Sequence, residues 1–314
     1  MSLKKILVIG ALGQIGTDLT QALVRKWGAA QVVTADLKSH SLGESLTHEA
    51  FDVLDFQQLQ QIVEQHKIQE IYHLAAALSA KAEQNPKWAW ELNLKSLLNV
   101  LEIAKEKRIR VFWPSSMAAF GPSAPHPAPQ DCRMDPTSVY GISKVAGESW
   151  CAWYHQHHGV DVRSLRFPGL ISWKTPPGGG TTDYAVDIFH AAIANRPYTC
   201  FLSEDTRLPM MYMPDAVRAI QELMDAPASQ ITIRHAYNLT AMSFTPKELA
   251  EAIRERLPEF SICYKPDFRQ AIADSWPRQI DDHVARRDWG WKPTFTLSSL
   301  VDEMLQGVRS IKLM

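Results

Sequence analysis

The sequence predicts a doubly wound α/β fold built on a parallel sheet, and three observations predict it. Short β-branched or aromatic runs alternate with longer segments of helical period. The first of these runs, ILVI at 6–9, passes through glycines at 10, 13 and 16 into TDLTQALVRKW, whose apolar residues recur at helical spacing. Asp36 closes the next run, QVVTAD, twenty residues past the last of those glycines. EAFDVLD, EIYHLAA, RVFWPSS and DVRSLRFPG read as further strands, with right-handed crossovers between them. AWELNLKSLLNVLEIAKEK and the segment from Ser138 to about His157 read as long helices. After Gly169, SWKTPPGGGTTDY gathers proline, glycine and hydroxyls that neither helix nor strand favours, so a loop is expected there. MYMPDAVRAIQELMDA and HAYNLT return to the sheet as helix and strand, and residues from about 243 onward form a mixed lobe.

At 314 residues, with 46% hydrophobic and 21% charged residues, the chain can bury a large core plus a smaller lobe. Thirty-three basic residues balance thirty-four acidic ones, which gives no global field for nucleic acid or an anionic membrane. A neutral or zwitterionic small substrate suits that balance. The four cysteines, at 132, 151, 200 and 263, form no C-x-x-C pair and read as reduced thiols of a cytoplasmic protein. The opening MSLKKILVIGALG imitates a signal peptide, but Gln14, Asp18 and the glycine spacing argue against one. No apolar run approaches the roughly eighteen residues of a membrane span.

Glycines between a strand and a helix let backbone approach a pyrophosphate, while the helix N-terminus offers it N–H groups. Gly10, Gly13, Gln14, Ile15 and Gly16 meet that need. The GxxGxxG spacing alone also occurs in ordinary turns; Asp36 strengthens it, because a carboxylate there accepts from the adenine-side ribose and repels a 2′-phosphate. NAD is therefore favoured over NADP, with Lys38 a small counterweight, and the alternative for Asp36 is a turn cap. Asp52 and Val53 would flank the adenine, and Leu37 is a further cofactor candidate. Leu74, Ala75, Ala76 and Pro168 lie at strand ends where small or compact residues admit cofactor or pack against a helix. The expectation is a Rossmann-type domain, 1–171 with a returning segment at 209–241, and a smaller C-terminal substrate lobe from 172–208 and 242–314.

Tyr140 and Lys144 stand four residues apart, on one face of a helix, where the ammonium can stabilise a phenolate. A tyrosine pKa near 10 must fall by about three for a base near neutrality, roughly 4 kcal/mol. Lys144 and a positive nicotinamide ring would supply it, while a hydroxyl of the Ser115–Ser116 pair holds the substrate oxygen. A Tyr–Lys pair alone is common at surfaces; the preceding dinucleotide signal and strand-end serine carry the inference.

With these residues in place the chain resembles the extended short-chain dehydrogenase/reductase superfamily, which includes nucleotide-sugar epimerases and dehydratases. The resemblance covers almost the whole chain. It implies that Ser116, Tyr140 and Lys144 are catalytic, that Lys144 also bonds the nicotinamide ribose, and that Asn93 holds a structural place, a surface or cap role being the alternative. It implies a homodimer through the helices around 86–106 and 138–157. WPSSMAAFGP, PGLISWKTPPGGGTTDYAVDIF, CFLSEDTRLPMMYM, AMSFTP and DFRQAIADSWP look like the short-chain type of L-threonine 3-dehydrogenase. That likeness implies oxidation of the L-threonine 3-hydroxyl by NAD to 2-amino-3-oxobutyrate.

A zwitterion with a secondary alcohol needs hydrogen-bonding walls and little water. Ser79, Thr181 and Thr182 are candidate contacts, with turn capping as the alternative. Trp276 either closes the pocket or packs the core. Phe120 and RFPG replace the residues usual in epimerases, and the loop 172–190 offers only Lys174 as a fixed cation for phosphates. A nucleotide-sugar epimerase or dehydratase is the second reading. A dinucleotide sensor without turnover is a third, and would not need Tyr140 and Lys144. His155, His157 and His158 read as a solvated face, and no metal is expected. Trp88, Trp90, Trp150 and Trp153 suit a core or a subunit contact.

Overall fold

A computed structural model describes residues 4–312, so the outermost ends of the two domain ranges above lie outside the described residues. The strands are β1 (Ile6–Ile9), β2 (Val32–Asp36), β3 (Thr47–Ala50), β4 (Glu70–His73), β5 (Arg110–Ser116) and β6 (Val162–Phe167). They continue with β7 (Gly169–Ile171), β8 (Tyr198–Cys200), β9 (Leu208–Tyr212), β10 (Tyr237–Asn238), β11 (Met242–Phe244) and β12 (Ile262–Tyr264). Seven of them form one sheet in the order β10-β6-β5-β4-β1-β2-β3, with every pairing parallel. The order reverses direction between β1 and β4, and the crevice at their C-terminal ends is where such sheets bind ligands.

Side chains alternate across β1. Ile6 and Val8 pack with Leu19, Leu23 and Ile220 on one face, whereas Leu7 and Ile9 pack with Leu59, Leu97 and Val111 on the other. Both faces are thus covered by helices, and each fully buried Leu, Ile or Val contributes about 1.5–3 kcal/mol. The helix Gln14–Trp27 starts at Gly13 and ends with Arg25 and Lys26 against its negative pole before Gly28, φ 86°. Ser138 caps the long helix Val139–His158 by accepting from Gly141 N at 3.1 Å, and Gly159 closes it in the left-handed region, φ 68°.

Smaller pieces sit on this frame. β7 pairs with β9 and β9 with β11, a three-stranded sheet, and β8 pairs with β12. The helix Met213–Asp225 and β10 come back to the large sheet. Tyr184, Ile188, Phe189, Met210, Phe244, Leu300 and Met304 build a separate core beneath the small sheet.

One expected strand is displaced. EAFDVLD was to pair along its length, but β3 is THEA and ends at Ala50, so Asp52 and Val53 follow the strand. The Asp52 carboxylate accepts from Leu54 N at 2.9 Å, and Asp55 accepts from Gln58 N at 3.0 Å as the cap of the helix Phe56–Gln65. These side chains offer the backbone a turn in place of a ladder.

Candidate active site

The glycine turn is shaped by backbone contact. Gly10 has φ 79°, and a Cβ there would lie 2.7 Å from Ala75 N; a Cβ at Gly16 would lie 2.2 Å from Gly10 O. Only glycine lets β1, the start of the helix and the end of β4 approach this closely. No side chain caps that helix at Gly13, and no acidic residue occupies its first turn. Its N–H groups and positive pole therefore remain available to an anion. The amide nitrogen of Gln14 is buried with no partner among the described residues. Asp36, half-buried at the end of β2, accepts from Leu12 N at 3.1 Å and Lys38 N at 3.3 Å, which ties its carboxylate to the glycine turn. Leu37 beside it is 75% exposed, an apolar side chain with no protein surface against it. A glycine cradle, an orphan amide and an uncovered leucine fit a dinucleotide. Val53 is buried, and Asn99 donates to its carbonyl at 3.2 Å. Leu74, Ala75 and Ala76 are half-buried, and Pro168 is buried between β6 and β7.

Ser116 ends β5, its Oγ accepting from Ala118 N at 3.1 Å and its hydroxyl near enough to the Tyr140 phenol to favour the phenolate. Burial pushes Tyr140 up to about 12, and the Ser116 hydroxyl works against that rise. The protein alone thus does not ready this phenol for a neutral base role; positive charge must do so. Lys144, one helical turn on, is 2% exposed and donates to Pro114 O at 2.6 Å, with Nζ 4.4 Å from the Trp113 ring and 5.3 Å from the Tyr140 ring. Burial brings it down to about 7, opposed by Cys151 and Glu148.

Two glycines and a proline set this geometry. A Cβ at Gly141 would lie 2.2 Å from Ala118 O, so the helix carrying Tyr140 presses directly on the backbone after Ser116. A Cβ at Gly147 would lie 2.4 Å from the Trp113 ring. β4 pairs with β5 only as far as Phe112, so Pro114 interrupts no ladder on that side. Gly141, Gly147 and Trp113 have no role in the sequence reading, although Trp113 lies inside a quoted motif and the two glycines closely follow Tyr140 and Lys144.

Ser115 departs from its expected place beside substrate. Strand alternation turns it away from Ser116, it is 2% exposed, and its hydroxyl donates to Glu148 at 2.5 Å. Glu148 in turn pairs with the buried Arg166 at 2.8 Å, and Arg166 also donates to Gln130 O and Asn238. Asn93 is buried, not a surface residue: its Oδ1 accepts from Ala77 N at 2.7 Å.

Ser79 and Thr181, far apart in sequence, meet. Their hydroxyls lie 3.1 Å apart, Thr181 N donates to Ser79 Oγ at 3.1 Å, and both residues are buried. Asp183 shapes the loop by accepting from Gly179 N at 2.8 Å and Gly180 N at 2.7 Å. The Thr182 methyl lies over Gly169. Trp276 joins the lobe core, yet its Nε1 is buried without a partner among the described residues. Lys174 pairs with Asp18 across to the first helix, so the loop's cation is already engaged. His155 and His157 bond main-chain carbonyls of Val160 and Trp153. Among the described residues no group of three His, Cys, Asp or Glu side chains could hold a metal, and no helix is long and apolar enough to cross a membrane.

Residues 6–239 match the NAD dependent epimerase/dehydratase family, and the chain belongs to it. Within that family its relatives include L-threonine dehydrogenases. The mitochondrial L-threonine 3-dehydrogenase of Bos taurus is 44% identical, over 96% of this chain and 82% of the bovine protein. The structure of a GalE-like L-threonine dehydrogenase from Cupriavidus necator, in its holo form, is 58% identical with a TM-score of 0.95, covering 97% of this chain and 99% of that one. A monomeric L-threonine 3-dehydrogenase from a metagenome is 46% identical with a TM-score of 0.95, covering 98% of this chain and 99% of that one.

Proposed function

We propose that this chain oxidises the 3-hydroxyl of L-threonine with NAD, giving 2-amino-3-oxobutyrate and NADH. The observation that carries the reading is the Ser116 hydroxyl at the end of β5 acting on the Tyr140 phenol, with Lys144 buried one turn behind it and its Nζ 5.3 Å from the Tyr140 ring. Relatives named as L-threonine dehydrogenases over nearly the whole chain support the choice of substrate.

NAD, when bound, supplies the hydride acceptor and a positive ring. Gly10, Gly13, Gln14, Ile15 and Gly16 would hold its pyrophosphate, Asp36 and Leu37 its adenosine half, and Lys144 its nicotinamide ribose. Ser116 holds the substrate oxygen. Tyr140 takes the hydroxyl proton as the C3–H bond breaks. The Lys144 ammonium lowers the cost of the phenolate. Ser79 and Thr181 offer hydroxyls to the amino acid's charged groups, and the unpartnered Trp276 Nε1 offers a donor. Thr182 is the outer member of this set.

The assembly proposed is a cytoplasmic homodimer. Trp88, Trp90, Ile142, Trp150 and Trp153 are 47%, 44%, 46%, 37% and 40% exposed on the two helical segments expected to pair. So much aromatic surface favours a partner copy. Sedimentation at micromolar concentration tests it, a monomer refuting the dimer.

The activity test is NADH formation by purified protein with NAD and L-threonine, L-allo-threonine, L-serine or UDP-galactose. Selective turnover of L-threonine supports the proposal. Silence with threonine and turnover of a UDP-sugar would replace it.

A further inference from the structure

Behind the candidate site lies a histidine that the reaction above does not use. His73 ends β4 and is 1% exposed. Burial, helped by the positive charge of Lys144, brings its pKa down to about 3, so the ring stays neutral. Its Nε2 lies 2.9 Å from Ser96 Oγ, and Ser96 Oγ donates to Leu92 O. A hydroxyl has one proton to give. With that proton committed to Leu92, the imidazole carries its own on Nε2 and donates it to Ser96.

Leu92 lies within, and Ser96 directly follows, a π turn, Glu91–Lys95, inserted between the helices Pro86–Trp90 and Ser96–Lys107. A π turn moves backbone donors one residue further, which leaves an acceptor for a side chain to fill. Inside the turn, Asn93 holds both polar atoms of Ala77, accepting from its N–H at 2.7 Å and donating to its carbonyl at 3.3 Å. The same amide donates to Ser143 Oγ at 3.1 Å, and Ser143 Oγ donates to Tyr140 O at 2.7 Å. Two sets of hydrogen bonds, joined by the Leu92–Asn93 peptide, therefore link the end of β4 to the helical turn that carries Tyr140.

We infer that His73 and Ser96 are positioning residues: the His73–Ser96 contact pins the π turn, so that Asn93 holds Ala77 and the first turn of the Tyr140 helix in the register that brings Tyr140 to Ser116. This role rests on the reading of Tyr140 as the base. No proton travels the path, because Leu92 and Tyr140 contribute only backbone carbonyls to it.

Three full-length variants test the assignment. His73→Phe removes the donor, His73→Gln restores an N–H at the reach of Nε2, and Ser96→Ala removes the hydroxyl between ring and turn. For oxidation of L-threonine with NAD, kcat falls about tenfold in H73F and S96A. KM for L-threonine stays within about twofold, and H73Q recovers most of the loss. An unchanged kcat in S96A, or an H73Q as impaired as H73F, overturns the role. If H73F does not fold, S96A and H73Q decide alone. Amide hydrogen exchange supplies a readout free of substrate: S96A speeds exchange at 93–97 and 139–144 without lowering the melting temperature. Wild-type protein that ignores threonine would overturn the proposed function, whereas unchanged exchange in S96A would overturn the positioning role.

Discussion

The cradle at the ends of β1 and β4 and the proposed substrate pocket at the 172–183 loop are built by different means. The cradle is backbone: Gly10 against Ala75 and Gly16 against Gly10 leave no room for a Cβ. The pocket is side chain, Ser79 to Thr181 and Asp183 to the amides of Gly179 and Gly180. A backbone site binds through groups that every residue has, so its demand falls on glycine spacing. A side-chain site binds through chosen hydroxyls, so it sets which substrate reacts. Tyr140 stands where the two meet.

The largest expected effect separates chemistry from both regions. Tyr140→Phe lowers kcat by about a thousandfold while NAD affinity, read by fluorescence titration, stays within about twofold. Burial alone raises Tyr140 to about 12, and the positive charge around it in the working complex brings it down, so turnover of the wild type climbs with pH as the phenolate forms and then levels off. A pH profile with no fall on its acid side would break the base assignment. Lys144→Met removes the stabilising cation, so the climb moves to still higher pH.

Next comes the cradle. Gly10→Ala forces a Cβ residue to φ 79° and into Ala75 N, a strain of about 1–3 kcal/mol, and NAD affinity falls about a hundredfold or the protein melts earlier. Normal affinity with normal melting would mean that the turn is not built as described. In the pocket, Thr181→Val removes the hydroxyl that meets Ser79 and raises KM for L-threonine about tenfold, with NAD affinity unchanged. A loss of NAD affinity there would blur the division between the regions. The smallest effect is at Asp36. Asp36→Asn keeps a hydrogen-bonding oxygen but drops the charge, so discrimination against NADP relaxes by several-fold, measured as the ratio of kcat/KM for the two cofactors.

The same contrast decides what the sequence revealed. The cradle was legible because its constraint is local: a strand, three glycines and Asp36 lie within one βαβ unit. The parallel sheet followed from alternation, and the Tyr140–Lys144 face from a four-residue spacing. The extent of β3 was not legible, because Asp52 and Asp55 draw the backbone into a turn and a cap that an apolar pattern does not register. Ser115 was placed beside substrate for its adjacency to Ser116, whereas strand alternation sends it to Glu148. The meeting of Ser79 with Thr181 spans 102 positions; each was readable as a hydroxyl for the substrate, but no local spacing relates the two. His73 and Ser96 act through a π turn, a local shift in helical register that residue spacing does not announce.

The central claim is that hydrogen leaves C3 of threonine for NAD while Tyr140 takes the hydroxyl proton. L-threonine deuterated at C3, incubated with the purified protein and NAD, tests it by mass spectrometry of the reduced cofactor. One deuterium per molecule of NADH formed, with formation lost in Tyr140→Phe, is the predicted result. Reduced cofactor without deuterium, or no reduction while a UDP-sugar is interconverted, would contradict it.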